Sequence, residues 1–117
     1  MKTNSRDFVL FCKTFTKYQK ILGLTGYNIF FRHEPLENAF ASITVNQADM
    51  IATVRLNSKL EPKDKPFKNV RKSAKHEAIH LLLGRYNYLA TAKWNVGSED
   101  IREVEEELVY KICNLID

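Results

Sequence analysis

The chain has three histidines in 117 residues, and two of them stand four apart with a glutamate beside the first: His76-Glu77-Ala78-Ile79-His80. On a helix, residues four apart sit one turn above each other on a single face. Two imidazoles in that relation can converge on one ion. Glu77 lies about 100° further round the helix. It stays out of the ligand set and reaches a water beside the ion, where a carboxylate serves as general base. The chemistry this pattern supports is hydrolysis at zinc, which needs a third protein ligand and an open coordination position.

No histidine follows His80, so the third ligand is expected to be a carboxylate. The last helix, expected from Ser98 to about Leu115, offers Glu99, Asp100, Glu103, Glu105, Glu106 and Glu107. Helical phase chooses among them. The apolar stripe is Ile101, Val104, Leu108, Ile112 and Leu115, widened to one side by Val109 and Ile116. Glu105 falls inside this stripe, Glu106 at its margin, and Glu103 and Glu107 well off it. A carboxylate on a buried face needs a partner, and a metal is a sufficient one. Glu105 is therefore the expected third ligand and Glu106 the second choice. His33, at the end of a strand, is a weaker competitor. Tyr86, Tyr88 and Tyr110 are unranked candidates for a donor to the oxyanion of acyl transfer.

The elements that must position these residues follow from periodicity. Phe8, Phe11, Phe15, Tyr18 and Leu22 recur at spacings of three and four and predict an N-terminal helix over 6–22, closed by Gly23 and Gly26. Three stretches of period two follow, at 27–34, 39–46 and 52–57. Their short links predict a three-stranded antiparallel meander. Residues 58–68, with Pro62 and Pro66, predict a loop. Asn69 is the expected N-cap of the motif helix and Gly84 its stop. On that helix Val70, Ala74, Ala78 and Leu81 face one way, toward the sheet. His76, Ile79, His80 and Leu83 face another, which a further element must cover. Residues 85–98 carry no clear pattern. The fold class expected is α+β, a single domain over 1–117.

The wider composition excludes more than it identifies. A net charge of +4, with lysines clustered between Lys59 and Lys75, gives weak support to a nucleic-acid partner, since no recognised nucleic-acid motif accompanies it. Cys12 and Cys113 form no CxxC; a disulfide between the terminal helices is the lesser reading, and two small semi-buried residues the favoured one. No apolar run reaches the ~18 residues of a membrane span. Lys13 and Lys17 break the apolar stretch after the basic start, so neither a signal peptide nor a membrane anchor is expected. The reading is a soluble, cytoplasmic protein.

The order of helix, three strands, H-E-x-x-H helix and glutamate-bearing helix resembles the minimal zincin metallopeptidases. It is most similar to the small SprT-like and phage metallopeptidase domains. The matching stretches are Tyr27–Phe31, Ala52–Asn57, Lys75–Leu83 and Glu105–Ile112. The resemblance implies a zinc-dependent peptidase acting on a peptide or protein substrate. Zinc would be held by His76, His80 and Glu105, with Glu77 as the base. An edge strand beside the motif helix would pair with an extended substrate. Two other readings compete. One is a zinc-stabilised interaction module without turnover, of a phage-encoded kind; the other is a basic DNA-associated adaptor.

Overall fold

In the computed structural model, residues 2–59, 69–94 and 98–116 are described. The elements run α1 (Ser5–Ile21), β1 (Asn28–Glu34), β2 (Ala41–Asn46), β3 (Ile51–Asn57), α2 (Val70–Trp94) and α3 (Ser98–Leu115). The α+β class expected from periodicity holds. Of the expected 58–68 loop, residues 60–68 lie outside the described residues, as do 95–97.

A capping box starts α1. The Asn4 side chain accepts from the Asp7 amide at 2.8 Å, and the Asp7 carboxylate accepts from the Asn4 amide at 3.0 Å. The helix then buries the aromatic stripe seen in the sequence. Phe11 and Phe15 are fully enclosed, Tyr18 nearly so, with Phe8 and Leu22 packed beside them.

The sheet differs from the expected antiparallel meander. Its strand order is β1-β3-β2: β3 pairs antiparallel with β2 but parallel with β1. The reason lies in the six residues after β1. Instead of turning back beside β1, they cross the end of β3, and Asn57 at that end holds them. Its Oδ1 accepts from the Leu36 and Lys59 amides at 3.0 and 2.9 Å. Its Nδ2 donates to the Leu36 and Ala39 carbonyls at 3.0 and 2.8 Å. Its own amide donates to Phe40 O at 2.8 Å. The arrangement also places the most apolar strand centrally. Ala52, Val54 and Leu56 of β3 are fully buried, whereas β1 and β2 hold only half-buried positions on the same face.

The motif helix is also longer than expected. Asn69 caps it as predicted, accepting from the Lys72 amide at 2.9 Å. Gly84 does not end it, and α2 continues to Trp94. A β-carbon at Gly84 would stand 2.8 Å from the Gln47 side-chain nitrogen, and the Gln47 Oε1 accepts a 2.8 Å hydrogen bond from the Tyr27 hydroxyl. The glycine is a point of close approach for the β2–β3 turn rather than a terminator. No helix among the described residues is long and apolar enough to cross a membrane.

α2 has two buried faces. Val70, Ala74, Ala78 and Leu81 join the core formed with α1 and the sheet. Ile79 forms a second cluster with Val109 and Cys113 of α3, flanked by Leu22, Leu83, Ile112 and Ile116. Lys75 ties the same interface at its far end. Its Nζ donates to the carbonyl of Cys113 at 2.5 Å and to that of Ile116, satisfying carbonyls that end α3.

The Asn57 side chain is 1% exposed and makes four hydrogen bonds to main chain. Asn57→Ala is expected to cost about 2–4 kcal/mol, because it strands buried amides and carbonyls. Asn57→Asp should cost nearly as much, since a carboxylate cannot donate to Leu36 O and Ala39 O. Urea unfolding of the two variants measures both.

Candidate metal centre

His76 and His80 stand on the face of α2 turned toward α3 and the first residues of β2. The space between these elements is a cleft of about 640 Å³. Asn38, Phe40 and Ala41 border it on the sheet side, Lys72, His76, Glu77 and His80 on α2, and Glu106 and Tyr110 on α3.

The two Nε2 atoms are 3.2 Å apart. Both oxygens of Glu106 meet them: Oε1 lies 2.5 Å from His80 Nε2 and Oε2 lies 3.4 Å from His76 Nε2. One ligand atom from each of His76, His80 and Glu106 falls within 4.8 Å of the others. Two ring nitrogens and a carboxylate this close set acceptor against acceptor unless a proton or a cation lies among them. Imidazole nitrogen and carboxylate oxygen are also donors that suit zinc. The donor set therefore fits the ion that the spacing predicts.

Glu105, the expected third ligand, is not in this group. Its side chain is 12% exposed, as its place in the apolar stripe requires, but its Oε2 lies 3.2 Å from Nδ1 of His80, on the other side of the ring. The helix is rotated from the expected phase. The inward line of α3 is Val109 and Cys113, both buried, with Glu105 and Ile112 half-buried beside them and Ile116 just past its end, displaced to the side that Val109 and Ile116 mark. Val104 and Leu108, central to the expected stripe, are 49% and 37% exposed. That turn carries Glu106 from the margin into the cleft.

Glu77 is 4% exposed, and its Oε2 has no hydrogen-bond partner among the described residues. Burial, and then the nearby Glu106 charge, push its carboxyl up to about 8. Burial, then the adjacent His80, lower the His76 imidazole below its ordinary value, which keeps its lone pair free for a ligand bond.

The other sequence candidates divide plainly. His33 lies elsewhere: its Nε2 is 2.6 Å from the Thr3 hydroxyl and its ring stacks on Phe8 at 4.9 Å. Because that hydroxyl donates to the Asn57 carbonyl at 2.7 Å, His33 Nε2 is the donor to Thr3. Of the three tyrosines only Tyr110 borders the cleft, its ring edge-on to His76 with centroids 4.9 Å apart. Cys12 and Cys113 are free thiols, each raised in pKa first by burial. Lys13, Lys17 and Lys20 line a separate hollow on the outer face of α1, whose lining among the described residues includes no acid or imidazole. Lys63, Lys65 and Lys68 lie outside the described residues. The sequence reading did not single out Lys75, although a lysine beside the first motif histidine is a natural cap for an antiparallel neighbour's C-terminus.

No protein-family model matches this chain, and no curated protein matches its sequence.

The raised pKa of Glu77 makes stability depend on pH. In the metal-free chain the folded state holds the Glu77 proton up to about pH 8, whereas the unfolded state releases it near its ordinary value of 4.5. The folded state binds more protons between those limits, so the cost of burying the ionised group grows as pH rises through that window. Metal-free Glu77→Gln is therefore expected to exceed wild type in stability by roughly 2–4 kcal/mol at pH 8. The gap should close toward pH 4.5, as paired urea titrations across that range would record.

Proposed function

We propose that this chain is a zinc-dependent metallopeptidase of minimal zincin type, with zinc held by His76, His80 and Glu106 and with Glu77 as general base. The observation that carries the reading is the meeting of two Nε2 atoms and the Glu106 carboxylate beside the buried Glu77, one of whose oxygens has no partner among the described residues.

When bound, zinc supplies a water acidified toward neutrality and polarises the scissile carbonyl. The chain's own residues do the rest. Glu77 is nearly buried at the cleft, its Oε2 without a partner among the described residues, with a proton affinity suited to exchange near neutral pH. It takes the proton of the attacking water and delivers it to the leaving nitrogen as the C–N bond breaks. Tyr110 stands at the cleft beside His76, where a phenol can donate to the developing oxyanion. β2 is the edge of the sheet on this side, and the residues leading into it border the cleft. An extended peptide lying there pairs with the free edge of β2, which reads backbone more than side chains.

Glu77 also separates this reading from a non-catalytic zinc module. A structural site has no use for a buried base without a partner, and it draws on four protein ligands, usually with cysteine. Cys113 contributes its carbonyl to Lys75 and Cys12 lies on the outer side of α1, neither among the groups that could hold the ion.

Elemental analysis with a peptidase assay tests the proposal. Wild type and Glu77→Gln are expected to hold one zinc per chain, and only wild type to cleave an unfolded protein substrate. Glu106→Ala should bind zinc on the order of 100-fold more weakly or worse, one ligand's share of a site worth roughly 10 kcal/mol. Wild-type protein without stoichiometric zinc after growth and refolding in its presence would overturn the reading.

Because the ligands join α2 to α3, chelation should also lower the melting temperature and deprotect the amides of α3 in hydrogen exchange. Equal protection with and without zinc would count against a ligand on α3.

A further inference from the structure

We infer that Glu105 is the positioning residue of the site: it accepts the Nδ1–H of His80 and so holds that ring with its Nε2 aimed at His76 and Glu106. The inference rests on reading the cluster as a zinc site, and it gives the carboxylate beside the third ligand a separate task.

The geometry is direct. His80 presents two nitrogens, and a different glutamate meets each one: Glu105 Oε2 at 3.2 Å from Nδ1 and Glu106 Oε1 at 2.5 Å from Nε2. Consecutive residues on a helix diverge by about 100°, so the two carboxylates cannot reach the same edge of one ring. They grip it from both sides. Each contact then has a distinct chemical meaning. A neutral imidazole carries one proton, and an ionised carboxylate can only accept. With a cation between Nε2 and Glu106, which otherwise competes for the proton, Glu105 draws it to Nδ1 and the lone pair is left on Nε2, the atom facing His76. The pair is also well enclosed. The His80 and Glu105 side chains are 13% and 12% exposed, whereas Glu106 is 46% exposed. Water therefore competes poorly for the Nδ1 contact. The other Glu105 oxygen is buried without a partner among the described residues, so the His80 contact is the one that Glu105 is placed to make.

Among the described residues no carboxylate meets the Nδ1 of His76. Its ring is held instead by the edge-on Tyr110 and by His80, at centroid distances of 4.9 and 4.8 Å. The two motif histidines are thus oriented by different means, one by a hydrogen bond and the other by ring packing.

Two measurements test this on the full chain. The first is zinc affinity by competition with a chelator. Glu105→Ala is expected to weaken binding by about 10–100-fold, the scale of a lost outer-shell partner, and still to load to one zinc per chain at saturation. Glu105→Gln keeps a carbonyl acceptor and should recover part of the loss. The second is the tautomer of His80, read by long-range proton–nitrogen NMR in metal-free Glu106→Ala, which lacks the competing acceptor at Nε2, at a pH where the ring is neutral. That variant should carry the proton on Nδ1, and adding Glu105→Ala should shift it toward Nε2. Loss of stoichiometric zinc in Glu105→Ala, matching Glu106→Ala, would make Glu105 a ligand and overturn the inference. Unchanged zinc affinity with an unchanged tautomer would overturn it as well. The tautomer needs no metal, so a wild-type chain that binds no zinc would sink the proposed function while still leaving this contact decided.

Discussion

The arrangement depends on α2 being covered on both sides. One face is short and apolar, with Val70, Ala74 and Ala78 close enough to α1 and the sheet to be almost wholly buried. The other face alternates apolar and titratable groups, Lys75, His76, Ile79 and His80. An apolar partner alone would strand the polar groups, and water alone would strand Ile79. α3 resolves this by matching the alternation. Val109 and Cys113 meet Ile79, the terminal carbonyls take Lys75, and Glu105 and Glu106 take the imidazoles.

That matching explains the rotation of α3 about its own axis. The helix carries two overlapping apolar lines, one through Val104 and Leu108 and one through Val109 and Ile116. Taken alone, the first is the more hydrophobic choice. The face of α2 selects the second, because only that line brings the two glutamates to the two histidines and the terminal carbonyls to Lys75. Charge and hydrogen-bond satisfaction decide the phase; apolar area by itself would have chosen differently.

The carboxyls of Glu77 and Glu105 are costly to enclose, and each has an oxygen without a partner among the described residues. For Glu105 the cost is offset by the imidazole it holds. For Glu77 no hydrogen bond to Oε2 among the described residues offsets it, and the residue sits in the cleft in a form that favours carrying a proton. Such burial is what supports the proposed role of Glu77 as a base rather than a stabilising contact.

The sequence by itself determined the helices, the strands, the aromatic stripe of α1, the cap at Asn69 and the histidine pair. Each of these depends on spacing along a single element, which the periods of 3.6 and 2 make visible. It also showed that Glu105 is buried. The tertiary structure alone decided the rest. Strand order turned on Asn57, whose four hydrogen bonds reach residues far apart along the chain. The length of α2 turned on Gly84, whose missing side chain admits Gln47 from the β2–β3 turn. The division of labour between Glu105 and Glu106 turned on the angle at which α3 meets α2. None of these is a property of one element. Each is set by which groups two elements present to each other, and no local pattern of residues records that.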